Sequence, residues 1–224
     1  MATPTTIDTD TELSAVNSIL GAIGQSPVTS LGNVQSTTTT NAAGVTSTIH
    51  SYENPEIAFI YNILSEVNKD VQNEGWGFNI EYHVKISPTA TTKYVHIPTN
   101  VLSYDINDGQ AIRTQDVVRR NGRLYDKVHH TDEFESDVYL DVVYLWPYED
   151  LPPAFKRYIV YRSAVRAATQ LVANPALVQI LQQQELYAKS TCLEYECNQG
   201  DHSYFGLSHD QSYRSYQPYQ ALRR

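Results

Sequence analysis

The sequence predicts an α+β fold: a four-helix bundle with an inserted antiparallel β-domain and an extended C-terminal tail. Four stretches place apolar residues at steps of three and four, the spacing that lines one face of an α-helix. Between the second and third the period changes to two, the mark of a strand with one buried face. Asn121-Gly122, set between two short strand-like runs, adds the strongest local hairpin signal. These changes of period divide the chain at 1–75 (first helices), 76–147 (β-rich insertion), 148–198 (closing helices) and 199–224 (tail).

The first helix follows a polar start, MATPTTIDTD. Thr9 with Glu12 three residues on fits a capping box, Leu13, Val16, Ile19, Leu20 and Ile23 supply the apolar stripe, and Gly21 and Gly24 close it. From Gly32 to Ser51 the chain is rich in Thr, Ser, Asn and Gly, with too few apolar side chains to offset the entropy of ordering it. A long surface loop is expected there. Asn54-Pro55 then starts a second helix, because proline suits the first helical turn. Ile57, Ile60, Ile63, Leu64, Val67 and Val71 form its face, and Gly75 stops it.

In the insertion, Trp76, Phe78, Ile80, Tyr82, Val84 and Ile86 occupy even positions with Asn79, Glu81, His83 and Lys85 between them, so one strand is expected over 76–86. A turn follows at Pro88. Tyr94–Ile97 and Asp116–Arg120 are strand-like, the second joined through Asn121-Gly122 to Arg123-Leu124-Tyr125. Val138, Leu140, Val142, Tyr144 and Trp146 alternate along a last strand that ends at Pro147.

The stretch from Asp150 to Asn198 predicts two helices in tandem, the spine against which the earlier segments pack. The first opens at Pro152-Pro153 with Asp150 as candidate cap, and its face is Ala154, Tyr158, Tyr161, Val165, Ala168 and Val172, widened by Phe155. Asn174-Pro175 ends it and starts the next, since asparagine caps well and the residue before proline avoids helical angles. Leu177, Leu181, Ala188, Cys192 and Tyr195 line the second. A helical hairpin of this kind needs no function beyond supplying a core.

With 224 residues, 41% of them hydrophobic, the chain has material for one large or two small domains. The formal charge of −9 argues against a sequence-independent DNA binder, whose affinity comes from Lys and Arg, and suits a surface that DNA passes without sticking. Two cysteines, Cys192 and Cys197, do not share a helix face and cannot build a disulfide framework, so a reducing compartment is expected. Neither a signal peptide nor a membrane span is predicted, so the chain is expected to stay in the cytoplasm where it is made.

Motifs for chemistry are missing: no Gly-rich phosphate loop, no nucleophile elbow, no His-Glu-x-x-His or Cys-x-x-Cys spacing. His129-His130-Thr131-Asp132-Glu133 has metal-ligating residue types, but neighbours on an extended chain point to opposite faces, so a solvated loop is expected. Asp105, Asp108 and Gly109 lack the full calcium-loop ligand series and are expected to form a turn. No catalytic residue, metal or cofactor is expected.

Two features are left over. Past Gln199 the tail sets Tyr213, Arg214, Tyr216 and Tyr219 among polar residues; Tyr and Arg anchor protein interfaces. The helix after Pro153 carries Lys156, Arg157, Arg162 and Arg166 without an acidic residue, either a solvated face or one that docks on an acidic neighbour.

Order and spacing over many residues carry a resemblance. ELSAVNSILGAIGQSPVTSL, NEGWGFNIEY, NGRLYD, FESDVYLDVVYLWPYEDLPPAFKRYIVYRSAVRAA and CLEYE together resemble the tail tubular protein A family of short-tailed, podovirus-type bacteriophages. The Thr-rich segment from Ser36 to Ser47 and the tail past Gly200 depart from that pattern. The resemblance implies a non-enzymatic virion protein: a dodecameric adaptor, or gatekeeper, ring between the portal and the nozzle (tail tubular protein B), with fibres attached nearby and double-stranded DNA ejected through it. It implies a C-terminal extension reaching the portal, for which Tyr213, Arg214, Tyr216 and Tyr219 are the candidate contacts, with Arg162 and Arg166 on an inter-subunit or portal face. The alternatives are a host-surface binding module and a polysaccharide hydrolase, the latter needing two carboxylates about 5 to 9.5 Å apart across a cleft. Asp132, Glu133, Glu135 and Asp137 crowd one segment instead.

Overall fold

Helix α1 (Glu12–Ala22) opens the described part of the chain, and a computed structural model describes residues 10–31, 37–40, 46–49, 55–106 and 115–199. In chain order follow β1 (Thr37–Thr40), β2 (Thr46–Ile49), α2 (Pro55–Asn73), β3 (Ile80–Ile86), β4 (Val101–Ile106), β5 (Val117–Arg120), β6 (Arg123–Asp126), β7 (Val138–Tyr144), α3 (Pro153–Ala167) and α4 (Pro175–Gln199). The fold is mixed α and β, with four α-helices and small antiparallel sheets among the described residues. The chain divides into two compact units, one drawn from Met1–Lys69 and Pro147–Leu193, the other from Asp70–Trp146 and Glu194–Arg224. None of the described helices is long and apolar enough to cross a membrane.

The first unit is helical. Thr11, not Thr9, caps α1: its hydroxyl accepts the Ser14 N–H at 3.3 Å, while Thr9 lies outside the described residues. At the other end Gly24 takes φ +79°, which lets the Gln25 N–H reach back to the Leu20 carbonyl at 2.8 Å and satisfy an end-of-helix acceptor. Val16, Ile19 and Leu20 are buried, as are Ile57, Ile60, Ile63, Leu64 and Val67 of α2, so both expected stripes face a core. Tyr61 of α2 donates to Glu12 of α1 at 2.9 Å.

Three expectations for this unit need correction. The Thr-rich segment contains the antiparallel pair β1–β2, in register from Thr37↔Ile49 to Thr40↔Thr46; β-branched threonine favours the extended chain even where few apolar residues are present. Asp150 belongs to a 3-10 turn (Tyr148–Asp150), and the N-cap of α3 is Pro152, with no side-chain bond. The buried face of α3 is Phe155, Lys156, Tyr158, Ile159, Ser163, Ala164 and Ala167, so Tyr161 and Val165 are only half-buried and Val172 is exposed. Reading apolar residues alone misplaced that face, because Lys156 and Ser163 sit inside it.

Asn174 acts as expected, its side-chain oxygen accepting the Ala176 and Leu177 N–H groups at 3.1 and 3.4 Å at the start of α4. Before it, α3 runs into a π-helical segment (Ala168–Val172) that ends at Ala173 in the left-handed region. Leu181, Ala188 and Cys192 are buried along α4, and the Cys192 thiol donates to the Ala154 carbonyl of α3 at 3.3 Å. Cys197 is exposed, on a different face as expected.

In the second unit β7 is the central strand of an antiparallel sheet ordered β3–β7–β4. Val138, Leu140 and Val142 alternate inward as predicted and pack with Val95, Ile97, Val101, Ile106, Leu124 and Phe134. Strand β4 was expected to be a turn at Asp105; it pairs Asp105 with Asp141 of β7, whereas Asp108 and Gly109 lie outside the described residues. Strand β3 starts at Ile80, not Trp76, and a bulge between Glu81 and Val84, with His83 at φ +57°, breaks the predicted alternation so that Tyr82 is 47% exposed.

Residues 76–79, expected in that strand, form a turn that closes the end of α2. Asn79 is buried; its side-chain oxygen accepts the Trp76 N–H at 2.8 Å, and its amide donates to the carbonyls of Gln72 at 2.8 Å and Tyr144 at 3.0 Å. The Trp76 indole donates to the Val71 carbonyl at 2.8 Å. Gln72, fully buried, exchanges two bonds with the Trp146 backbone at 2.8 and 2.9 Å. Gly75 at φ +76° makes the first bend, and the Gly77 N–H donates to the Glu196 carboxylate at 2.7 Å.

Replacing Asn79 with Ala leaves one backbone donor without its partner and removes a donor from two backbone acceptors. Asn79→Ala is expected to lower unfolding free energy by about 3 kcal/mol, whereas Gln183→Ala at an exposed position of α4 changes it by less than about 0.5 kcal/mol. Urea denaturation of the two variants checks the contrast.

Candidate interaction surfaces

The cations of α3 do not form a single face. Lys156 turns inward, only 7% exposed, with Nζ donating to the Glu149 carbonyl at 2.8 Å and lying 5.8 Å from the centre of the Tyr148 ring. Burial pushes the Tyr148 phenol far above the usual tyrosine range, and the carboxylates of Asp10 and Glu12 add to the effect, so it remains a neutral donor. Arg157 is exposed, one position further round the helix. Arg162 and Arg166, the two predicted contacts, are four residues apart on the same side and half-buried. The Arg162 guanidinium donates to the hydroxyl of buried Tyr158 at 3.0 Å, which fixes its position at the helix surface. Tyr213, Arg214, Tyr216 and Tyr219 lie outside the described residues.

The acidic segment from Thr131 to Asp137 borders a pocket of about 370 Å³ lined by Asp126, His129, Glu133, Glu135 and Asp137 among others. Three carboxylates of the segment have cationic partners: Asp132 pairs with Arg123 at 3.5 Å, Glu135 with Lys93 at 3.3 Å and Asp137 with Lys85 at 2.7 Å. The Lys85 hydrogen bond, helped by Ser87, holds Asp137 below the usual carboxylate range. A glycosidase acid needs the opposite shift. Among the described residues no group of three or more His, Cys, Asp and Glu side chains has the geometry to hold a metal.

The histidine pair is part of a turn. Burial tends to raise the Asp126 carboxyl, but the His129 ring at 2.6 Å and the backbone N–H groups of Val128, His129 and Asp116 outweigh it and bring it below its ordinary value. His130 adopts φ +55°, and a bridge between Asp126 and Thr131 closes the loop.

Sequence pattern marks the arginines at the β5–β6 hairpin only as strand residues. Asn121 and Gly122 take φ +52° and +74°, the paired positive angles of a two-residue hairpin turn, as Asn-Gly predicts. Across it Arg120 pairs with Arg123 and Arg119 with Leu124. Arg120 lies over the Tyr125 ring and Arg123 over the Tyr94 ring, each 4.0 Å from the centroid. The signal in the sequence is RRNGR, three arginines around a turn in an acidic chain.

Because the folded carboxyl of Asp126 titrates below its unfolded value, its contribution is present above the unfolded pKa and is lost as pH falls through the lower folded value. Protection of the Val128 and His129 amides against hydrogen exchange, taken relative to the intrinsic rate at each pH, is expected to fall on acidification through that window. Asp126→Asn, which cannot titrate, is expected to show no such acid step and a stability loss of about 1 to 3 kcal/mol at neutral pH.

A family model described as tail tubular protein matches residues 13–202, spanning both units and most of the chain. Comparison with curated proteins finds no match. With the β-sheet, the Trp76–Asn79 turn and all but the first residue of the described helices inside the matched range, the chain belongs to the tail tubular protein family and is a structural component of the bacteriophage tail.

Proposed function

We propose that this chain forms the adaptor ring of a short tail: a dodecamer docked on the portal above and on the nozzle protein below, with fibres attached nearby. Double-stranded DNA passes through its centre without being specifically bound. The observation that carries the proposal is the family match across residues 13–202. The −9 charge supports it, since a negative wall repels a polyanion and lets it slide.

In this proposal residues 1–75 and 148–198 form a four-helix bundle, 76–147 a β-domain and 199–224 a partner-binding tail, assembled in the host cytoplasm. Tyr213, Arg214, Tyr216 and Tyr219 contact the portal, while Arg162 and Arg166 meet a neighbouring subunit or the portal. Support for Arg162 comes from its tie to Tyr158, which reduces the rotamer entropy lost on docking. A hydrolase is disfavoured because Asp137, which lines the pocket, is held below the usual carboxylate range by Lys85, the opposite of the shift a catalytic acid needs.

Mixing the purified chain with its portal and weighing the product by native mass spectrometry tests the proposal. Twelve copies on one portal are expected; a chain that stays apart from the portal overturns it. Tyr213→Ala/Tyr216→Ala/Tyr219→Ala is expected to weaken portal binding by about a hundredfold or more, as loss of interface anchors does.

A further inference from the structure

The geometry points to the end of the β5–β6 hairpin as a docking surface for carboxylates of a partner protein. Arg120 and Arg123 are directly opposed across the hairpin, and directly opposed residues of an antiparallel pair share a face. Like charges placed that way work against pairing, and the turn does not need them, since Asn121-Gly122 already specifies it. Each guanidinium is instead held over a tyrosine ring, Arg120 on Tyr125 and Arg123 on Tyr94. A guanidinium seated by its face keeps its N–H donors round its edge, in the planar fork that matches a carboxylate.

Arg123 already has a carboxylate, Asp132, at 3.5 Å. Arg120 is exposed and makes no ion pair among the described residues. The hairpin therefore shows one occupied and one open fork on a single face. Phosphates of duplex DNA are the rival ligand. Duplex binding draws on a broad run of cations, about six to ten phosphate contacts for a strongly salt-dependent binder. Here Asp116 and Asp132 interrupt the cations, pairing with Lys127 and Arg123. Two arginines backed by two tyrosines match the composition of protein–protein anchor sites.

The test uses the purified full chain with two labelled probes, a peptide of consecutive glutamates and a short DNA duplex, read by fluorescence anisotropy. The peptide is expected to bind and to lose about tenfold in affinity with Arg120→Ala, the effect of one charge-assisted contact. Arg120→Lys, which keeps the charge but not the fork, is expected to recover only part of that affinity. Because Arg120 is exposed, its single variants leave the fold intact, which circular dichroism checks. Equal peptide binding by wild type and Arg120→Ala overturns the inference. So does a duplex that binds more tightly than the peptide and is itself released by the substitution.

Discussion

Two buried amides, Asn79 and Gln72, hold the second unit together at its most demanding point. A helix ending inside a protein leaves carbonyl groups that must find donors. At the end of α2 these donors come from the next turn of chain, with Asn79 serving Gln72 and the Trp76 indole serving Val71. The same Asn79 reaches the Tyr144 carbonyl, and Gln72 pairs with Trp146, so one cluster fixes both the start of β3 and the exit of β7. A buried polar network stabilises only when every member is satisfied, and here the side chains exchange bonds mainly with backbone groups that cannot move independently.

From that anchor the rest of the unit is set by β7. It pairs on both sides, with β3 and β4, and its inward Val138, Leu140 and Val142 give the sheet its apolar layer. The peripheral elements are tied down more lightly. The β5–β6 hairpin is held by its turn residues, by buried Leu124 and by backbone bonds to Val95 and Ile97, and the loop beyond it by the Asp126 carboxylate together with backbone bonds between Asp126 and Thr131 and between Lys127 and Asp116. This gradation leaves the charged side chains of the hairpin at the surface while their backbone stays ordered.

Helix existence was legible because each of the four stretches keeps an apolar period for several turns, and Gly24, Gly75 and Asn174-Pro175 punctuate them at or beside the observed ends. The hairpin at Asn121-Gly122 was legible from two residues. What escaped notice had physical reasons. Trp76 and Phe78 fit a strand pattern, yet Gly75 and the Asn79 amide favour a turn whose bonds are not visible in hydrophobicity. Strand β4 hid because Ser103 and Asp105 look like loop residues until Asp105 is placed opposite Asp141 at the sheet surface. The face of α3 was misjudged where Lys156 buries its stem and finds a carbonyl. Of the predicted contacts, Arg162 and Arg166 do share a helix side, but nothing in the periodicity announces that Arg162 is held by Tyr158.

Gly77 and Glu196 are joined although more than a hundred residues separate them. During synthesis the sheet strands and the turn after α2 have all left the ribosome long before the last turn of α4 appears. The Gly77 amide must therefore wait, bonded to water, until the last turn of α4 has formed. A chain cut before Glu196 would thus keep the sheet's own pairing while the Gly77 amide stayed hydrated.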